Sequence, residues 1–210
     1  RKASRECMQE YPVHPGDSFL LYANTMHYSR GGVLFYEIMQ NSDITVGLNW
    51  LKGEGPAGAG HSPEELASFI HLETPFDVRT QHVTLLRGAN LQTYVFACRY
   101  FCLERWDLNG PLAVVPDGER FYVYSVIEGH ATLRCGDSAE RLVSGNSFLV
   151  PAAMGPAEIV PEGRASLLRA YVPDLVKDVI MPLRAEHISD ERISLLGGIT
   201  WLNHITPLLS

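Results

Sequence analysis

Six short runs rich in β-branched and aromatic residues dominate the chain: FLLY (19–22), VLFYEIM (33–39), TYVFACRYFCLERW (93–106), FYVYSVI (121–127), ATLRC (131–135) and SFLVPA (147–152). Each is bounded by Gly, Pro, Asn or Asp, which is the pattern of strands joined by tight turns. In 121–127, Phe121, Val123, Ser125 and Ile127 share one face, and Tyr122, Tyr124 and Val126 share the other. Both faces are largely apolar, as expected between the layers of a jelly roll. Helical patterning is confined to 62–73, LVKDVIMPL and SDERISLLGG. In 62–73, Ser62 is placed to cap, Pro63 to open the first turn and Glu64 and Glu65 to fill it. The expected fold is mainly β, a jelly roll with short helices.

Composition narrows the partners. With 210 residues, 46% of them hydrophobic and 20% charged, the chain has the make-up of an ordinary globular protein. Its formal net charge of −7 argues against a nucleic-acid partner, because neutralising phosphates takes surplus Lys and Arg. No apolar run approaches the roughly 18 residues of a membrane helix, so no membrane partner is expected either. Cys7, Cys98, Cys102 and Cys135 include no CxxC pair and read as reduced, mostly buried thiols of a cytoplasmic protein. Cys98 and Cys102 lie four apart in one expected strand and would share a face.

The glycine-rich stretch KGEGPAGAG (52–60) carries neither GxxxxGK[ST] nor GxGxxG and reads as a linker. Residues 1–60 are accordingly read as part of one β-module plus this linker, 61–172 as a second, complete module, and 173–210 as a C-terminal extension. A weak internal echo supports two related modules. Gly16-Asp17-Ser18-Phe19-Leu20-Leu21 parallels Gly145-Asn146-Ser147-Phe148-Leu149-Val150. Only the first copy is followed by a histidine, His27.

His27 closes a turn after the first strand, and in a double-stranded β-helix a histidine at a strand end projects into the barrel mouth, where imidazole suits zinc. Around it, Gly16, Asp17, Ala23, Thr25, His27, Glu37, Ile38, Gln40, Asn41, Ser42, Asp43, Thr45 and Trp50 are spaced in a recognisable way. This passage resembles GD-x-x-x-x-PAGT-x-H … EIQQ-[NS]-SD-x-T-x-R-x-x-DW of the class I mannose-6-phosphate isomerases, members of the cupin superfamily. Residues 76–172 resemble, more loosely, that family's C-terminal, metal-free cupin.

The resemblance implies a cupin double-stranded β-helix in one partial and one complete module. It also implies a zinc-dependent interconversion of mannose 6-phosphate and fructose 6-phosphate, with protons moving between C1 and C2 through an enediol. In that picture His27 corresponds to the family's last zinc ligand, Glu37 and Asp43 are the candidate catalytic residues, and Thr25 and Lys52 are the candidate contacts to a sugar phosphate. Three departures stand beside it. Gly47 occupies the place of the family's active-site arginine, and Asn49 that of the Asp before Trp. The other zinc ligands, a Gln-x-His pair and a Glu, belong upstream of Arg1, where the chain opens without Met or a signal-peptide pattern and so reads as a fragment or a processed product. Zn2+ is therefore expected only with an upstream half or a second copy of the chain. The alternative reading is a non-catalytic sugar-binding or sensory cupin.

Simpler roles stand beside these. His27 could be a hydrogen-bonded loop residue, Glu37 could pair with Lys52 or Arg30, and Asp43 could close an Asx turn. Gln81-His82 lies after the linker, in the wrong module for the zinc set. The apolar tail ISLLGGITWLNHITPLL offers a third reading, a docking surface.

Overall fold

A computed structural model of the chain describes residues 8–42, 62–70 and 78–210. The chain divides into two compact units, one of residues 1–15 and 21–76, the other of 16–20 and 77–210.

In the first unit the capping signals read at Ser62 produce helix α1, Pro63–Phe69. Ser62 Oγ accepts from the Glu65 amide at 3.1 Å, and Glu65 Oε2 accepts from the Ser62 amide at 2.8 Å. That reciprocal capping box satisfies two of the donors a helix start leaves open. Ile70 turns extended and ends the helix earlier than the apolar spacing suggested.

Residues 33–39, expected as a strand, are irregular and largely exposed. Leu34 is 99% exposed and Met39 71%. A strand persists only when a neighbouring ladder takes its N–H and C=O groups. Among the described residues no strand pairs with this segment.

The second unit is an antiparallel jelly roll. Its strands are β1 Val83–Arg87, β2 Asn90–Ala97, β3 Cys102–Leu108, β4 Leu112–Val114, β5 Tyr122–Cys135, β6 Ser138–Val143, β7 Ser147–Val150 and β8 Ala157–Tyr171. They run in the order β1-β2-β3-β8-β5-β6, with β4 on β8 and β7 on β5. The two long strands make the layers. The second half of β8, from Ala165, pairs with β3, and its start, Ala157–Ile159, pairs with β4. The first half of β5 pairs with β7, and its second half with β6. Both strands therefore pass from one layer to the other. Their shared register slips on either side of Gly129. Gly129 has φ +74°, and a Cβ there would lie 2.2 Å from the Arg164 carbonyl oxygen, so only glycine lets the two backbones cross this closely.

Two expectations are revised here. The runs 121–127 and 131–135 are one bent strand, because Gly129 continues the ladder instead of breaking it. The run 93–106 is a hairpin, with a turn in which the Cys98 amide donates to the Phe101 carbonyl at 2.9 Å. Cys98 and Cys102 thus flank a turn and do not share a strand face.

The echoed motifs do adopt matching conformations. Gly16 and Gly145 both take the left-handed region, at φ +95° and +92°. Ser18-Phe19-Leu20 lies antiparallel to residues 78–80, through Leu20 N–H to Val78 O and Thr80 N–H to Ser18 O. Ser147–Val150 pairs in the same sense with β5.

One core fills the barrel, built from Trp106, Leu108, Tyr124, Val126, Leu142, Val150, Ile159 and Leu167. A second core joins Val83, Leu85 and Tyr94 to the C-terminal segment through Val179, Ile180, Leu183, Ile193, Leu196 and Ile205. That segment holds a π-helix, Leu175–Ile180, and helices α2 Met181–Ala185 and α3 Asp190–Ser194. Asp174 caps the π-helix by accepting from the Val176 and Lys177 amides. Of the tail expected to dock, Ile193, Leu196, Ile199 and Ile205 are buried inside the protein, whereas Trp201, Leu202 and Leu208 are exposed. Among the described residues no helix is long and apolar enough to cross a membrane.

Candidate functional site

The turn carrying His27 is built locally. Asn24 adopts φ +66°, which a short amide side chain tolerates, and the Thr25 amide donates to the Tyr22 carbonyl at 3.2 Å. The turn aims the Thr25 carbonyl at His27 Nδ1, 2.9 Å away. A carbonyl only accepts, so Nδ1 carries the proton and the lone pair lies on Nε2 of an exposed ring. That is the arrangement in which histidines bind metals, one nitrogen oriented by a backbone carbonyl and the other presented outward.

The remaining candidates are less organised. Thr25 is half-buried beside His27. Glu37 is exposed in the irregular segment, and Arg30, one of the partners considered for it, pairs with Glu10. Asp43 and Lys52, with Gly47 and Asn49, lie outside the described residues. Among the described residues no group of three or more His, Cys, Asp or Glu side chains converges as a metal site. His27 fits zinc as a single ligand, and a tetrahedral site needs more.

The barrel of the second unit holds a charged centre that sequence reading missed. Glu104, fully buried on β3, receives Trp106 Nε1–H at 2.8 Å, Arg169 Nε at 3.0 Å and Nη2 at 2.6 Å, and the Tyr171 hydroxyl at 2.8 Å. The Arg169 guanidinium lies over the rings of Trp106, Tyr122 and Tyr171 at 5.3, 5.5 and 5.3 Å. Burial opposes the Arg169 cation more than any one group favours it, but Glu104, Tyr124 and Tyr171 together outweigh burial and hold the guanidinium above its usual range. Burial, with Glu104 adding to it, pushes the Cys102 thiol up, and burial with Cys102 and Glu104 pushes up the Tyr171 phenol. These groups stay protonated at neutral pH. With four donors on one carboxylate, this centre is saturated by its own side chains and can hold the barrel together without a ligand. The available signal was a lone Glu in FCLERW and a lone Arg in ASLLRAY, charges set inside apolar strands.

A third cluster joins the segment 16–20 to the edge of the sheet. Ser18 Oγ lies 2.6 Å from His82 Nε2 and bonds Thr80 Oγ1, while the Thr80 hydroxyl donates to the Val95 carbonyl at 2.8 Å. Val95 is the residue at which the β2–β3 register slips, so its carbonyl is open to a side chain. Burial holds the His82 imidazole below its usual value; Asp17 pulls it up and Arg105 pushes it down.

Residues 90–172 match the family model described as mannose-6-phosphate isomerase, cupin domain. The chain is 27% identical over 169 residues to mannose-6-phosphate isomerase ManA of Bacillus subtilis (strain 168), an alignment covering 80% of this chain and 52% of ManA. It is 28% identical over 170 residues to YvyI of the same organism, covering 79% of this chain and 52% of YvyI. The chain thus spans about half the length of the curated relatives it matches. A crystal structure of the mannose 6-phosphate isomerase from Bacillus subtilis aligns with 51% of this chain and 33% of its own, at 25% identity and a TM-score of 0.45.

Proposed function

We propose that the chain belongs to a zinc-dependent enzyme interconverting mannose 6-phosphate and fructose 6-phosphate, a reading supported by the match of residues 90–172 to the mannose-6-phosphate isomerase cupin-domain model. The observation that carries this reading is the orientation of His27. Its Nδ1–H is committed to the Thr25 carbonyl, and Nε2 is left for a metal. Bound zinc would polarise the sugar carbonyl as a Lewis acid. Glu37 and Asp43 would move the proton between C1 and C2, while Thr25 and Lys52 would contact the sugar phosphate. The remaining ligands would come from an upstream half or from a second copy of the chain.

Two measurements test this reading. Elemental analysis of the zinc-replete, full-length gene product should find stoichiometric zinc that His27→Ala removes. A protein without zinc overturns the proposal. A coupled assay with mannose 6-phosphate should register turnover. The second reading is a sugar-binding cupin without turnover, favoured by Gly47 at the position of the family's arginine, since glycine cannot stabilise an enediolate or hold a phosphate. In that case calorimetry detects sugar-phosphate binding while the coupled assay stays at background, and Gly47→Arg raises the rate.

A further inference from the structure

Asn109-Gly110 is the only Asn-Gly pair in the sequence. In such a pair the glycine nitrogen, with no Cβ beside it, can attack the asparagine carboxamide. A bond forms from Gly110 N to Asn109 Cγ, the Cγ–Nδ2 bond breaks, and the side-chain nitrogen leaves as ammonia with the proton of the amide. Water then opens the cyclic imide at either carbonyl and leaves aspartate or isoaspartate at 109. Asn109 is exposed, so burial gives it no shelter from that water. Gly110 lies against the β1–β2 turn, where an added Cβ would stand 3.3 Å from the Ala89 Cβ, so a larger residue in its place would crowd the turn.

Asn90, the first residue of β2 and only 5% exposed, clamps both members of the pair. Its Oδ1 accepts the Asn109 amide at 2.9 Å and the Gly110 amide at 3.0 Å, and its Nδ2 donates to the Pro111 carbonyl at 3.1 Å. The attacking nitrogen must lose its proton, and here that proton is held by a buried oxygen instead of by water. The target is held as well. Asn109 Nδ2 donates to the Ala89 carbonyl at 3.2 Å, which fixes the orientation of the carboxamide.

We propose that Asn109-Gly110 is a latent deamidation site, kept inert by the Asn90 clamp and released when this turn opens. The change runs one way. An aspartate at 109 would turn a carboxylate toward the Ala89 carbonyl, two acceptors with no proton between them. Isoaspartate would lengthen the backbone by one methylene and carry the Gly110 amide away from Asn90 Oδ1. A chain that has once opened here and reacted therefore keeps an added negative charge and a turn that no longer closes on Asn90. Neither a metal nor a sugar phosphate takes part, so this chemistry stands apart from the proposed isomerase activity.

Peptide mapping by mass spectrometry tests the site on the full chain, incubated in mildly alkaline buffer with and without unfolding concentrations of urea. Aspartate and isoaspartate at 109 should form at least about tenfold more slowly in the folded wild type than in the unfolded chain. Equal rates overturn the proposal. Asn90→Ala, its fold checked by circular dichroism, should deamidate at 109 about three- to tenfold faster than the folded wild type, because the oxygen that holds both amides is gone. A folded variant that reacts at the wild-type rate overturns the role of Asn90. The wild type provides a further readout that requires no variant. Its Gly110 amide should exchange hydrogen at least about tenfold more slowly than in the unfolded chain, and an unprotected amide there overturns the clamp.

Discussion

Arg169 donates to a single oxygen of Glu104 through two nitrogens, Nε at 3.0 Å and Nη2 at 2.6 Å. Glu104 is fully buried, whereas 22% of the Arg169 side chain is exposed. Removing the cation strands a charge that the interior cannot solvate, and Arg169→Met should destabilise the protein by about 3–5 kcal/mol in urea unfolding. The double variant Glu104→Met with Arg169→Met should recover much of that loss. If the two single effects simply add, the pair is not coupled.

Gly129 is the crossing point of β5 and β8. Gly129→Ala combines a left-handed backbone with a Cβ 2.2 Å from the Arg164 oxygen, and should cost more than about 2 kcal/mol. Gly145→Ala shares the left-handed backbone but meets no atom within 4 Å, so it should cost less. Thermal unfolding of the two variants separates backbone strain from collision, and equal losses would refute the collision.

His204 should make the C-terminal segment weaken in acid. Its Nδ1 accepts the Arg99 amide at 3.4 Å, and its ring meets Tyr100 edge-on at 5.5 Å. Burial, reinforced by the Arg99 charge, lowers its pKa. A depressed histidine contributes stability that is present above its unfolded value of 6.5 and is lost as pH falls from there toward the folded value. Protonation also turns the acceptor into a donor. Proteolysis of the tail at pH 7.5 and 5.5 should show faster cleavage in acid for the wild type, and a smaller difference for His204→Asn.

The thiols should report unfolding. Cys98 and Cys102 are buried, with the thiol pKa of both raised first by burial, so neither offers a thiolate to reagents in the native protein. In Ellman titration both should stay unreactive until denaturant is added. Prompt reaction of either in buffer would contradict the packing of this hairpin.

Local chemistry made part of this fold readable. The capping box at Ser62 and Glu65 is encoded within four residues, and the matching turns at Gly16 and Gly145 within six, so sequence alone suffices for both. Gly129 could be seen as a glycine between strands. Whether it breaks a strand or bends one depends on Arg164, which lies far along the chain. Glu104 and Arg169 are 65 residues apart, and their pairing follows from the β3–β8 register, which neither local sequence contains. His27 stands out as a candidate ligand through spacing and resemblance. Its tautomer needed the position of the Thr25 carbonyl. The strand expected at 33–39 had the right composition, but composition carries no information about whether a partner ladder lies alongside.

In the strand order β1-β2-β3-β8-β5-β6, β8 alone joins the β1–β3 meander to the strands that follow it. On the ribosome, β1 to β3 can pair as soon as they emerge, and β5 can pair with β6 and β7. The facing edges of β3 and β5 must then wait for residues 157–171. At the usual pace of synthesis, that interval after β3 is complete lasts roughly 3–13 s. The edge of β3 is unpaired throughout it and that of β5 for roughly the last 2–7 s, and strands of neighbouring nascent chains could pair with them. The strand that closes the barrel is therefore also the one whose late arrival sets how long two sheet edges stay open to other chains.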